Sequence, residues 1–262
     1  IAEIGWNHMG NMDIAKRMIQ AAYSSGADYA KFQTWSTSRL KKGSWDDDGR
    51  REIYEKAELS IEDHIELIEY CKECNISFLS SVFSIQDAEL LVELGCDIVK
   101  IPSFESRNKD LIKFCNEKFK TIIMSGGTST FDEIKESVKL IDKADLYLMH
   151  CVSVYPGEYS EANIPKMKRL ATLCNKIGLS DHIEGVESSK VAIGEGAVII
   201  EKHFTIDKTL PGRDNKFSIL PDQLKNLADF IKNRNLMLTD QGSGFNIKEN
   251  DSRLNYTGRF DG

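Results

Sequence analysis

This chain of 262 residues is poor in several of the features that define whole protein classes. No stretch approaches the roughly 18 consecutive apolar residues that a membrane helix requires. The opening, Ile1 with an acidic Glu3 close behind, does not read as a signal peptide. A cytoplasmic location without a membrane partner is therefore expected. Positive charge is also short: 34 Lys and Arg face 41 Asp and Glu, a net −7, which argues against nucleic acid as a partner. A local anion site remains open. The six cysteines (Cys71, Cys74, Cys96, Cys115, Cys151, Cys174) are scattered and do not form the dense framework of a secreted scaffold, so reduced thiols are expected. Cys71 and Cys74 sit at helical spacing with no second pair to complete a zinc site, which assigns them to core packing. No Gly-x-Gly-x-x-Gly follows the first apolar run, so the dinucleotide-binding fingerprint is missing as well.

What is present is enough apolar material, 41% of residues, to bury a large core, and a regular alternation of patterns. Short strand-like runs at 1–5, 27–33, 76–81, 98–101, 121–125, 146–151, 177–180 and 198–202 alternate with helical spacing at 12–25, 61–73, 85–93, 109–117, 131–142, 165–174, 188–195 and 221–232. Eight strands with eight helices in a chain of this length predict an α/β fold, the closed (β/α)8 TIM barrel, over 1–237. Residues 238–262 form a polar, Gly-rich tail or linker. Two longer interruptions, 34–58 with its Asp46-Asp47-Asp48 run and 204–220 after the last strand, are expected to be lids or binding loops.

A barrel of this kind does its chemistry at the carboxyl ends of its strands. Every strand here ends in polar residues: Glu3 with Asn7-His8, Lys31 with Gln33, Ser80-Ser81, Lys100 with Ser103, Ser125-Gly126-Gly127, His150 with Ser153, Ser180-Asp181-His182, and Glu201-Lys202-His203. Unpaired charges gathered at one mouth are costly, so a ligand that unites them is expected, anionic and with a metal nearby. His182 and His203 end neighbouring strands and are the candidate metal pair, an open site suited to Lewis-acid work. Lys31 and Lys100, with the hydroxyls of Ser103, Ser125 and Ser180, could cradle phosphate and carboxylate, helped by backbone N–H groups of Gly126-Gly127 before a helix. His64 falls on a polar helix face and is expected to be solvated.

These segments together resemble the sialic acid synthase family, barrel enzymes that condense phosphoenolpyruvate with an N-acylated hexosamine. The matching stretches are Ala2-Glu3-Ile4-Gly5 with Asn7-His8, Lys31-Phe32-Gln33, Lys100-Ile101-Pro102-Ser103 with Glu105, His150-Cys151 with Ser153, Tyr155 and Pro156, Gly178-Leu179-Ser180-Asp181-His182, and Glu201-Lys202-His203-Phe204-Thr205. They keep order and spacing from residue 1 to about 220. The resemblance implies manganese on His182 and His203. It implies phosphoenolpyruvate held by Lys31, Lys100, Ser103, Ser125, Ser153 and Ser180, and a sugar acceptor met by Gln33, Glu105, Tyr155 and Asp214. Glu3 would lie beside the reacting carbons, either stabilising an oxocarbenium-like centre or handling protons. Glu3, Lys31, Lys100 and Asp214 form the expected catalytic set, and a homo-oligomer is expected.

Three departures from the family pattern bear on the acceptor. The usual Gly-Pro-Asp-His after the eighth strand is Gly212-Arg213-Asp214-Asn215 here, so Asp214 survives and the His does not. The usual Thr-Pro-Phe-Asp after the third strand is Ser81-Val82-Phe83-Ser84, which keeps a hydroxyl at Ser81 near the phosphoenolpyruvate site. The antifreeze-like domain that in the family lends an arginine to the acceptor has no counterpart in these residues, and Arg213 could supply a guanidinium toward an acidic acceptor instead. The expected product is a nonulosonic, sialic-type 2-keto-3-deoxy sugar acid with phosphate released by C–O cleavage. The competing readings are a metal-dependent aldolase or sugar-phosphate-condensing barrel, and a non-catalytic sugar-binding homologue.

Overall fold

Parallel neighbours cannot be joined by a hairpin, so each strand must be followed by a crossover that packs back on the sheet. The computed structural model, which describes residues 1–260, carries this out seven times between eight strands. Strands β1 (Ala2–Glu3), β2 (Tyr29–Thr34), β3 (Ser77–Val82), β4 (Ile98–Ile101), β5 (Thr121–Ser125), β6 (Asp145–Cys151), β7 (Ile177–Asp181) and β8 (Ile199–His203) are parallel and pair in chain order. The pairing of β8 with β1 closes the barrel. The helices are α1 (Met12–Ser24), α2 (Arg50–Ala57), α3 (Ile61–Glu73), α4 (Ile85–Glu93), α5 (Lys109–Lys118), α6 (Phe131–Val138), α7 (Pro165–Leu170), α8 (Glu187–Gly194), α9 (Pro221–Met237) and α10 (Asn250–Asn255). None is long and apolar enough to cross a membrane.

Alternation along each strand divides the side chains into two sets. Outward residues such as Ala30, Phe32, Val99 and Ile122 meet the helices in the main core. Inward residues Leu79, Ile123 and Met149 plug the lower barrel in a separate apolar cluster. Above that plug the inward positions turn polar, which is where the cavity lies.

Several local expectations change. His64 is fully buried: α3 turns His64, Leu67 and Cys71 inward, while Ile61 and Ile65 are the exposed apolar residues. The imidazole is satisfied there by the Ser60 carbonyl at 2.7 Å and the Thr34 hydroxyl at 2.8 Å, and Thr34 in turn bonds Ser80 at 2.7 Å. Hydrogen bonding at both nitrogens makes burial tolerable. The segment 34–58 is largely ordered around α2. Its acidic run is held by arginines, Arg51 on Asp46 and Arg50 on Asp48. All six cysteines are free thiols, Cys71 buried and Cys74 half-buried.

The chain divides into two units, Ile1–Phe230 and Ile231–Gly262. The first contains the closed barrel. In the second, the described residues beyond the end of α9 are exposed throughout and include α10. Asp261 and Gly262, the last residues of the expected tail, lie outside the described residues.

Candidate active site

At the carboxyl ends of the strands lies a cavity of about 320 Å³. Its floor is built from residues at the ends of β1, β2, β4 and β8, which alternation points inward. Lys31 Nζ contacts Glu3 Oε2 at 2.6 Å, donates to Ser81 Oγ at 2.9 Å and lies 3.7 Å from Glu201 Oε2. Lys100 Nζ contacts the same Glu201 oxygen at 2.7 Å, and Ser180 donates to its other oxygen at 3.1 Å. Gln33 donates to Glu3 Oε1 at 2.6 Å. All four charged groups are almost wholly buried. The lysines thus have internal counter-charges, two ammonium groups against two carboxylates, and no ligand is needed to neutralise them.

Burial sets the titration of this floor. It pushes the Glu3 carboxyl up, with Glu201 adding to the effect and Lys31 opposing it. Burial would raise Glu201 too, but the ammonium groups of Lys100 and Lys31 hold its carboxyl far below the usual range. The Lys100 ammonium is pushed down by burial, against the pull of Glu201. The quartet is a tight polar cluster whose members share their charges.

Serines rise on one wall. Ser125 Oγ is buried with no hydrogen-bond partner, and Ser103 and Ser153 crowd Gly127, where a Cβ would come within 2.6 Å and 2.7 Å of their hydroxyls. That close approach requires glycine. The backbone N–H groups here are already engaged, Gly127 with Ser103 Oγ at 3.2 Å and Gly126 with the Met149 carbonyl at 2.8 Å. The N-terminus of α6 is closed by a capping box between Thr130 and Glu133. The anion cradle expected from the Gly-Gly backbone is therefore not free, and the hydroxyls and lysines are the groups left to meet an anion.

Next to them, where β7 and β8 end, His182 and His203 face each other, ring centroids 5.4 Å apart. The His182 Nδ1 donates to the Val152 carbonyl at 2.9 Å, which leaves Nε2 as its free nitrogen. His203 Nδ1 is buried without a hydrogen bond, 3.5 Å from Asp214 Oδ2. Burial, His182 and Lys31 all push the His203 imidazole well below its ordinary pKa, with Glu201 opposing. Asp214 is pushed up to about 6, chiefly by burial. Burial would raise the Cys151 thiol, 3.8 Å from His182, but the imidazole draws it down to about 7. Two imidazoles with free or orphaned nitrogens fit a divalent metal. Among the described residues no three His, Cys, Asp or Glu side chains are grouped to hold one, so water and substrate oxygens would complete such a site.

The mouth is aromatic and cationic, lined by Trp6, Tyr54, Phe83, Phe104, Tyr155, Arg50 and Arg213. Tyr155 lies on His182, ring centroids 4.1 Å apart, and Trp6 meets Tyr54 edge-on at 5.1 Å. Arg213 is exposed on the loop after β8. Its neighbour Asn215 is fully buried and ties that loop down, donating to the carbonyls of Asn7 at 3.1 Å and Pro211 at 2.8 Å and accepting from Thr205.

Of the residues singled out from sequence, Glu3, Lys31, Gln33, Ser81, Lys100, Ser103, Ser125, Ser153, Tyr155, Ser180, His182, His203, Arg213 and Asp214 all line this cavity. Glu105 does not; its carboxylate accepts from Asn108 at 2.7 Å near the start of α5. Sequence reasoning named Glu201 at the end of the last strand but gave it no role, although it precedes His203 by two and so shares its inward face. It likewise named Phe83 and Cys151 without a role, and it left out Trp6, Arg50, Tyr54 and Phe104. Arg50 and Tyr54 carried no strand-end signal, because α2 delivers them from within the segment 34–58.

The profile of the NeuB family matches residues 18–243. The chain is 37% identical over 249 residues to an N,N'-diacetyllegionaminic acid synthase of Campylobacter jejuni, covering 88% of this chain and 75% of that protein. It is 34% identical over 268 residues to a pseudaminic acid synthase of Helicobacter pylori, covering 97% and 79%. The crystal structure of an N-acetylneuraminic acid (sialic acid) synthetase from Leptospira borgpetersenii, in complex with citrate, superposes with a TM-score of 0.88 at 30% identity, over 96% of this chain and 88% of that one. The chain belongs to the NeuB family and is an enzyme of the sialic acid synthase type.

Proposed function

We propose that the barrel mouth condenses phosphoenolpyruvate with the open-chain aldehyde of an N-acylated sugar, giving a nonulosonic 2-keto-3-deoxy acid and phosphate. The observation that carries this reading is the paired floor of Lys31 and Lys100, with Glu3 and Glu201 as counter-charges, set beside two facing imidazoles. Lys31 and Lys100 bind the enol phosphate and carboxylate by charge-assisted contacts, and Ser81, Ser103, Ser125, Ser153 and Ser180 add hydroxyls around them. Held there, the phosphoenolpyruvate C3 can face the acceptor carbonyl, so the reaction gains from orientation. Glu3, buried against Lys31, stands at the carbon where positive charge develops once C3 has formed its new bond. Water then adds at C2, and the C–O bond to phosphate breaks.

His182 and His203 would hold a divalent metal, Mn²⁺ by family resemblance. When bound, such an ion would polarise the acceptor's aldehyde oxygen. Gln33, Tyr155 and Asp214, which line the cavity, are the acceptor contacts on this reading, and Glu105, which does not line it, is not counted among them. Arg50 pairs with Asp48 at 2.6 Å and holds its carboxyl low, with a smaller contribution from Arg213, which also opposes the burial that raises Asp214. With the cations of the mouth offset in this way, a neutral N-acylated sugar suits the aromatic wall better than an acidic one. The location proposed is the cytoplasm.

The test is phosphate release that requires both phosphoenolpyruvate and an N-acylated aldose, read together with product mass. Phosphoenolpyruvate carrying ¹⁸O in its C–O–P bridge should deliver the label to phosphate. Label retained in the sugar acid would overturn C–O cleavage. Phosphate release without a sugar would overturn the condensation, and sugar binding without turnover would favour a binding homologue.

A further inference from the structure

The two histidines stand on strand ends whose other faces carry a second charged pair, one that the proposed chemistry does not use. In the register of β7 against β8, Ser180 pairs with Glu201 and Asp181 with Lys202. Ser180, His182, Glu201 and His203 line the cavity, so the residues between them turn to the outer side of the barrel. There Lys202 Nζ lies 3.2 Å from Asp181 Oδ2, both side chains almost wholly buried. The same oxygen accepts from Ser188 at 2.7 Å and Ser189 at 2.6 Å, while Oδ1 accepts from the Ile183 backbone N–H at 3.0 Å. Lys202 also donates to the Ile183 carbonyl. Ile183 is thus gripped at its N–H by the carboxylate and at its C=O by the ammonium, immediately after His182. Lys202 makes its grip from the position immediately before His203.

We propose that Asp181 and Lys202 are positioning residues, a buried clamp that sets the separation and aim of the His182 and His203 imidazoles. A buried ion pair is a poor way to add stability, since an apolar pair of similar volume avoids the desolvation cost. Four donors on one carboxylate do confer direction. The clamp ties the loop carrying His182 to the strand carrying His203 from behind, and the serines of α8 fix the carboxylate in turn. Groups behind a ligand side chain commonly govern affinity at the site in front. The metal part of this inference rests on the proposed use of the two histidines.

The experiment compares the full chain with Lys202→Met, Asp181→Asn, Lys202→Arg and the milder Ser188→Ala/Ser189→Ala. Mn²⁺ alone is titrated by calorimetry well below each melting temperature, and the imidazole NMR signals of His182 and His203 are recorded without metal. Lys202→Met and Asp181→Asn should weaken Mn²⁺ binding about tenfold or more and shift or broaden both imidazole signals. Lys202→Arg should recover most of the affinity. If the first two variants fail to fold, the serine pair carries the test, with a smaller loss in the same direction. Variants that melt earlier but keep Mn²⁺ affinity and imidazole signals unchanged would reduce the clamp to ordinary packing and overturn the proposal. Should the unaltered chain take up no Mn²⁺, the metal reading fails separately, and the imidazole signals alone decide whether the clamp positions them.

Discussion

Replacing Lys100 separates two jobs that the floor of the site performs at once. The ammonium lies 2.7 Å from Glu201 in almost complete burial, and Lys31 is the next cation at 3.7 Å from the same oxygen. Lys100→Met should therefore cost stability, because breaking a buried pair leaves a charge behind, at about 3–5 kcal/mol where no other partner exists. Lys31 remains to hold Glu201, so the loss should fall below that range. Binding suffers differently. A charge-assisted contact to the enol phosphate is worth about 1.5–3 kcal/mol, and at about 1.4 kcal/mol per decade the phosphoenolpyruvate KM should rise roughly ten- to a hundredfold. The sugar KM should move far less. The double variant Lys100→Met/Glu201→Gln removes both charges, so it should recover much of the stability while leaving the phosphoenolpyruvate defect in place. The assay is initial-rate phosphate release with each substrate varied in turn, alongside thermal melting. Equal rises in both KM values would refute a dedicated anion contact. Recovery of phosphoenolpyruvate binding in the double variant would show that the lysine serves only to balance Glu201.

Other consequences follow from neighbouring groups. His182→Ala or His203→Ala should abolish most Mn²⁺ uptake by calorimetry while the barrel melts cooperatively, and unchanged uptake in both would remove the metal assignment. Arg213→Gln should change the KM of a neutral N-acylated acceptor less than about threefold, since one exposed, already offset charge is worth little; a larger loss confined to acidic acceptors at low salt would return Arg213 to reading charge. His8 is buried, its Nδ1 accepts from the Gly10 N–H at 3.1 Å, and burial lowers its pKa from 6.5 to about 4. The unfolded chain therefore binds the proton first. The stability of a neutral His8 is complete above pH about 6.5 and is lost as pH falls toward 4, about 3 kcal/mol over that window. His8→Gln should flatten this acid limb of the stability curve by about one proton, and an identical slope in both proteins would contradict it.

How much of this was legible beforehand follows the range of the interactions involved. Period-two and helical patterns are local, so the eight alternations, and with them the closed barrel, could be read from the chain. Strand ends are local too, and alternation carries inward every second residue near them, which is why His182, His203, Lys31 and Lys100 were found. The ends of elements were less secure. The helices expected to reach Asp142 and Cys174 stop at Val138 and Leu170, where turns take over.

Partnership between distant residues was beyond such patterns. Lys100 and Glu201 are 101 positions apart, and nothing in either segment says that the ammonium already has a counter-charge before any ligand arrives. His64 looked solvated because its helix neighbours are polar, yet Thr34 and Ser60 satisfy both nitrogens and make its burial possible. Glu105 was grouped with the acceptor contacts, yet it accepts from Asn108 away from the cavity lining. Asp181 and Lys202 were in plain sight within recognised motifs, but only the register of β7 on β8 makes them a pair. The sequence by itself determined which strand-end residues face the barrel mouth, because that depends on periodicity along one strand, whereas residues such as Arg50 and Tyr54 reach the mouth from a loop helix. The tertiary structure decided which of them are spent on one another and which are left for a substrate, because hydrogen bonds and ion pairs are set by distances that close only when the barrel does.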